Sequence, residues 1–203
     1  MSVRTLCLSL ATATLAIAGA RVALASDCAS VSMTISAAPS TDPNFPNMWK
    51  YTVTGSWSVT PRALSHLDFF VALMANECTC APGVVGFPAV AGTSTGEPEP
   101  CTVEYDGMYL CDGDPTAPSS LNVPTVKYEA KPGQSCEPST EGSGTWYFYS
   151  VFPPAGPSTI PDGVGIKYGS FFCTGPLTGT LPTFDCSTPA RPGSWGQLKI
   201  RYR

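Results

Sequence analysis

The chain has one histidine, His66, among 203 residues. With a single imidazole to offer, a structural zinc set of the cysteine–histidine kind has to draw its other ligands from cysteine. Charge is scarce as well: acidic and basic side chains make up 13% of the residues, and 15 acidic against 11 basic leave a net charge of −4. No basic patch is large enough to neutralise a phosphate backbone, which excludes nucleic acid as a partner. Past residue 25 there is no apolar stripe at helical spacing and no apolar run of the roughly 20 residues a membrane-spanning helix needs. None of Asn44, Asn47, Asn76 and Asn122 begins an Asn-x-Ser/Thr glycosylation acceptor.

What is present begins with an export signal. Arg4 precedes the apolar run LCLSLATATLAIA (6–18), and small-x-small sites follow at 18–20 and 23–25. Cleavage after Ala25 is expected, with residues 1–25 as signal peptide and 26–203 as one secreted, extracellular domain. No lipobox precedes Cys28 and no sorting motif accompanies the closing GQLKIRYR, so no membrane anchor is expected after cleavage. Of nine cysteines, Cys7 falls in the signal; Cys28, Cys78, Cys80, Cys101, Cys111, Cys136, Cys173 and Cys186 remain. An even set in an exported chain predicts paired disulfides. Local spacing favours Cys101–Cys111 and Cys173–Cys186, with Cys78 and Cys80 reaching Cys28 and Cys136 in some order. Between residues 97 and 141 nine acidic side chains face only Lys127 and Lys131, which reads as a solvated face.

The strongest structural signal has period two. In WKYTVTGSWSVT (49–60), Trp49, Tyr51, Val53, Gly55, Trp57 and Val59 alternate with polar residues, as a half-buried antiparallel strand requires. SVSMTISA (30–37) and QLKIRYR (197–203) repeat the pattern, and further strands are expected at 67–73, 125–130, 145–152, 164–173 and 177–184. Between them lie segments broken by proline and glycine, such as TGEPEPC and FPPAGPSTIPDG, which read as turns and long loops. The region from about 81 to 122 is expected to be rich in loops. Many short strands separated by turn signals predict a single-domain, all-β antiparallel sandwich stapled by disulfides.

The strand order around YTVTGSW (51–57) and ALSHLDFF (63–70) resembles that of immunoglobulin-like sandwich domains in secreted bacterial proteins, over about a third of the chain. The resemblance implies an extracellular sandwich and carries over no catalytic residue. The Cys…Trp…Cys spacing of antibody domains is not evident, so the likeness stops short of those.

Several motifs promise chemistry and fail on context. GTSTG (92–96) matches the nucleophile-elbow pattern, but Glu97-Pro98-Glu99-Pro100 follows where a helix is required, and His66 lies upstream of Ser94; a loop tip is expected instead. Asp106, Asp112, Gly113 and Asp114 hint at calcium but lack the later ligands and closing glutamate of an EF-hand loop, which leaves a bare turn. The spacing of Cys78-Thr79-Cys80 is too tight for a zinc knuckle, so with His66 it predicts disulfides and no metal or other cofactor. His66 and Asp68 share the outward face of their strand and are expected to form a modest surface pair, the carboxylate favouring a protonated imidazole.

Asp68, Glu104, Glu129 and Asp162 are candidate hydrolytic carboxylates, though nothing singles out two of them. GTWYFYSVF (144–152) puts Trp146 and Phe148 on one face and Tyr147 and Tyr149 on the other. Tyr147 and Tyr149, with the loop residues Tyr105 and Tyr109, make a candidate binding surface for a glycan or an extracellular protein. The functional expectation is a secreted, non-catalytic binding or structural protein. The alternative is a secreted carbohydrate-active hydrolase with an unrecognised carboxylate pair.

Overall fold

Alternation of apolar and polar residues dominates the sequence, and among the described residues the chain forms strands where it is sustained, as in 30–37 and 49–58. The computed structural model describes residues 26–27, 30–58, 62–70, 84–85 and 91–182. They contain β1 (Ser26–Asp27), β2 (Ser30–Pro39), β3 (Trp49–Ser58), β4 (His66–Phe70), β5 (Val84–Val85) and β6 (Ala91–Gly96). There follow β7 (Cys101–Leu110), a single 3₁₀ turn at Ser119–Leu121, β8 (Thr125–Ala130), β9 (Glu141–Ser150), β10 (Pro154–Tyr168) and β11 (Phe171–Pro182).

Around the sheet the order is β11-β10-β4-β8-β7-β6-β9-β3-β2, every step antiparallel. β2 then returns to β11 in parallel, Met33–Ile35 against Leu177–Gly179, and the sheet closes into a nine-stranded barrel. β1 adds to β11 and β5 to β9. The expected two-sheet sandwich is therefore not formed, and neither is the sandwich that the immunoglobulin-like resemblance implied. Period two tells which side chains share a face; it is the same in a sheet packed on a second sheet and in one closed on itself.

Inside the barrel the alternating residues fill the space. Trp57, Trp146, Tyr51, Tyr105, Tyr128, Phe69 and Phe148 are all buried there, with Val53, Leu67, Val126, Val164, Ile166 and Leu177 between them. Trp146 is the hub: its ring centroid lies 6.0 Å from that of Trp57, 6.0 Å from Phe69 and 5.9 Å from Tyr105. Room for it comes from Gly92, where a Cβ would sit 2.0 Å from the Trp146 ring. The buried hydroxyls find partners: Tyr105 and Ser94 share a hydrogen bond of 2.9 Å, while Tyr128 and Tyr51 donate to the carbonyls of Tyr147 and Phe152. Among the described residues the lumen is a packed core.

Three expectations about the chain's middle need correction. GTSTG forms β6, with Ser94 buried against Tyr105, and TVEYDGMYL lies within the ten-residue strand β7 and is no tight turn. Ten extended residues carry the chain roughly 33 Å, so Cys101 and Cys111 stand far beyond the roughly 7 Å Cα separation a disulfide spans. Cys101 pairs instead with Cys136, Cα to Cα 5.8 Å, which also removes Cys136 as a partner for Cys78 or Cys80. Cys111 and Cys173 are disulfide-bonded as well. Cys28, Cys78, Cys80 and Cys186, the signal residues 1–25 and the expected strand 197–203 lie outside the described residues.

From Pro154 onward FPPAGPSTIPDG, expected as loop, supplies the first two thirds of β10. It pairs with β11 there, while β4 joins only at Val164–Lys167, so Pro154, Pro157 and Pro161 occupy a stretch with one sheet neighbour among the described residues. A missing backbone donor is tolerable in such a place. No helix among the described residues is long and apolar enough to cross a membrane.

Candidate functional site

β4 carries the sequence His-Leu-Asp-Phe-Phe, and its register is set by β8 and β10. Leu67 and Phe69 point into the barrel core, so alternation turns His66 and Asp68 outward. Beside them on the same face come Lys127 and Glu129 of β8, since Asp68 stands opposite Lys127 and His66 opposite Glu129. In an uncovered barrel this face would be wet. It is covered by the segment 111–124, which leaves β7, doubles back and enters β8. The expected surface pair is accordingly buried: His66 is 6% exposed and Asp68 0%.

Gly113 makes the fold-back. Its φ is +81°, a region that favours glycine, and a Cβ there would lie 2.6 Å from the Asn122 side-chain oxygen. The next residue, Asp114, is turned inward and 1% exposed. Its Oδ1 accepts from the Thr116 backbone N–H at 2.8 Å, and its Oδ2 accepts from the Thr116 hydroxyl at 3.0 Å. Asp-Pro-Thr thus closes an Asx turn that holds the carboxylate rigidly. Oδ2 also meets His66 Nε2 at 2.8 Å and Lys127 Nζ at 3.4 Å. Lys127 reaches Glu129 Oε1 at 2.7 Å. Asp68 is the odd member: its Oδ2 is 3.8 Å from His66 Nε2, and neither carboxylate oxygen has a hydrogen-bond partner.

The electrostatics follow from that inventory. Burial, reinforced by Lys127, pulls His66 down to about 4 against the opposing pull of Asp114 and Glu129. At neutral pH the imidazole is therefore uncharged, contrary to the expected protonated form, and its Nε2–H donates to Asp114. Burial, together with the nearby Asp114 charge, pushes Asp68 up to about 8, with Lys127 opposing. Burial also pushes Asp114 upward, but the Thr116 N–H, His66 and Lys127 outweigh it and hold the carboxyl below its ordinary value. Two carboxyls within one pocket are driven in opposite directions, which is how a site separates a proton carrier from an anion.

Above this cluster, a shallow cleft of about 480 Å³ opens in the covering segment, lined by Asp112, Gly113, Asp114, Pro115, Ser119 and Asn122. Asp114 belongs to both: it lines the cleft and anchors the segment to the wall of the barrel.

The other sequence candidates scatter. Tyr105 is in the core, and Tyr109 packs against it. Tyr149 is buried under Phe45, ring centroids 4.6 Å apart, and its hydroxyl reaches Asp42 at 3.4 Å. Tyr147 is half-buried with the Lys50 ammonium 4.2 Å above its ring. The four tyrosines form no common exposed surface, because strand alternation sends Tyr105 inward and residues 42–50 cover Tyr149. Among the carboxylates, Glu104 is paired with Lys131 at 2.8 Å and Asp162 accepts from Thr174 at 2.7 Å. Asp106 lies 3.8 Å from the same Lys131, and Asp112 is exposed, so the calcium candidates do not converge with Asp114.

Sequence reasoning weighed Asp114 for calcium and left it in a bare turn, and it missed Thr116 and Lys127 as members of the cluster. The local signal for Asp114 was there in Gly-Asp-Pro-Thr, an Asx-turn sequence; nothing local could pair it with a strand that far upstream. No protein-family model, curated protein or solved structure matches this chain.

Proposed function

We propose that the protein is an exported, non-catalytic binding protein that recognises a saccharide in the cleft of its 111–124 segment, with the barrel as scaffold. The observation that carries this reading is the contrast between a lumen filled by aromatic side chains and a polar cleft held outside it. The described side chains fill the lumen. The cleft offers the Asp112 carboxylate, the Ser119 hydroxyl and the Asn122 amide, the kind of convergent short polar groups that hydrogen-bond sugar hydroxyls. Export is supported by the apolar run 6–18 and by the Cys101–Cys136 disulfide, since disulfides persist in oxidising compartments.

A glycan array probed with the full chain and with Asn122→Ala and Ser119→Ala tests it. Retention of a defined saccharide by the wild type, weakened in both variants, is the expected result. Binding unaffected by either substitution, or capture of protein ligands only, sinks the reading.

One observation favours the second reading, a secreted carbohydrate-active hydrolase. Asp68 and Asp114 are a carboxyl pair with opposed proton affinities, the arrangement of a general acid beside a base. Against it stands the complete burial of Asp68, which no glycosidic oxygen can touch while 111–124 is in place. Release of reducing ends from any polysaccharide, lost in Asp68→Asn, would establish the hydrolase and remove the first reading.

A further inference from the structure

We propose that His66, Asp68 and Asp114 together bind one divalent transition-metal cation of the zinc type, seated between β4 and the segment 111–124. One ligand atom from each of the three residues lies within 4.8 Å of the other two. The closer separations, 2.8 Å between His66 Nε2 and Asp114 Oδ2 and 3.8 Å between His66 Nε2 and Asp68 Oδ2, bracket the ~3.4 Å between neighbouring ligands in a tetrahedral zinc site. Side-chain shifts of about half an ångström would bring these two separations to that value.

Geometry alone would make this a cluster of acids beside a histidine. The independent observation is Asp68, fully buried, with neither oxygen hydrogen-bonded. A buried carboxyl left in that state is costly, and native structures keep few such groups without a reason. The described surroundings place the Asp114 carboxylate and the His66 Nε2 beside it. A cation seated here would answer Asp68 and relieve its repulsion with Asp114 at the same time, the part that a proton on Asp68 plays when no cation is bound.

The neighbours fit this occupant. Lys127 is the competitor for Asp114, but it sits at 3.4 Å from that carboxylate and at 2.7 Å from Glu129, so it can withdraw to Glu129 without being left unpaired. The Thr116 hydroxyl, 3.0 Å from Asp114 Oδ2 and 3.3 Å from His66 Nε2, stands ready as a further oxygen. One imidazole nitrogen with two carboxylates suits zinc, cobalt or manganese; calcium and magnesium favour all-oxygen shells. Cys78 and Cys80, weighed beside His66 as zinc ligands and read as disulfide cysteines, lie outside the described residues, and Cys101, Cys111, Cys136 and Cys173 are disulfide-bonded. The site stands whatever fills the cleft above.

The test uses the full chain, freed of metal with EDTA and desalted, and titrated with zinc chloride by calorimetry; bound metal is counted after gel filtration. One zinc per chain is expected. Asp68→Asn and His66→Gln should each weaken binding by more than the roughly tenfold that losing a supporting group around a metal costs. Glu104→Gln, which removes an exposed carboxylate remote from the cluster, should bind as the wild type does. Circular dichroism establishes that each variant is folded. Should the variants misfold, cobalt chloride and the unaltered chain decide: visible absorption of nitrogen–oxygen ligation, displaced by zinc, supports the site, and its absence overturns it. The proposal is also overturned by a wild type that takes up no zinc, by a folded Asp68→Asn of equal affinity, or by calcium binding more tightly than zinc. A chain that binds zinc but no saccharide would refute the cleft reading and leave this one standing; the reverse result would do the opposite.

Discussion

On the inner face of β4, Leu67 and Phe69 meet Tyr128, Trp146 and the rest of the barrel core. On its outer face, one residue along, His66 and Asp68 meet Asp114, Thr116 and Lys127. Both faces are buried, yet by different physics. The inner face is held by non-directional burial of aromatic area, whose gain offsets the cost of leaving the Trp57 and Trp146 indole N–H groups without partners. The outer face is held by a few directional contacts whose worth depends on each proton. An apolar core is secure against pH and ions; a polar pocket of this kind is responsive to both.

The largest effect should come from the inner face. Trp146→Ala would empty the centre of the barrel beside Gly92 and Phe69 and should cost about 3–5 kcal/mol, measured by urea unfolding. A loss below 1 kcal/mol would mean that the core is not organised around this ring. On the outer face, Asp114→Ala removes the anchor of 111–124 and leaves His66 and Lys127 without it. A loss of about 2 kcal/mol is expected, together with faster amide exchange confined to 111–124. Exchange that rises evenly over the barrel would show that the segment is not independently anchored.

The pH dependence sharpens the contrast. Asp68 keeps its proton up to about 8 in the folded chain against 3.8 ordinarily, so it lowers stability as pH rises across that window. His66, held down at about 4 against 6.5, raises stability with pH between those values. The two slopes oppose each other up to pH 6.5. What remains is a decline of about 1–2 kcal/mol from there to about pH 8, in EDTA. Asp68→Asn should flatten the decline; a decline that persists in the variant assigns it to another group. The smallest effect belongs to the open surface. Lys131→Ala breaks the exposed pair with Glu104 and should leave the Tm unchanged, as exposed pairs commonly do.

Much of the inner face could be read from the residues. Tyr51, Val53, Trp57, Trp146 and Phe148 were placed together on inward faces by alternation alone, and all are buried there. β8 was expected at its observed bounds, 125–130. The outer face was misread for the same reason: alternation says outward, and only a covering segment turns outward into buried. GTSTG reads as a loop tip and TVEYDGMYL as a tight turn, where the chain forms β6 and β7; a glycine in a barrel wall can make room for a neighbouring ring, as Gly92 does for Trp146.

By itself, then, the sequence determined that the chain is all-β, which side chains share a face, and that its cysteines are built for pairing. These properties depend on neighbours one or two residues apart, where the pleat dictates the outcome. Tertiary structure alone decided that the sheet closes through β2 and β11, that Cys101 meets Cys136, and that Asp114 comes down on His66 and Asp68. Each of those joins residues distant along the chain. Their encounter is fixed by the closure and register of the whole barrel, about which no local pattern carries information.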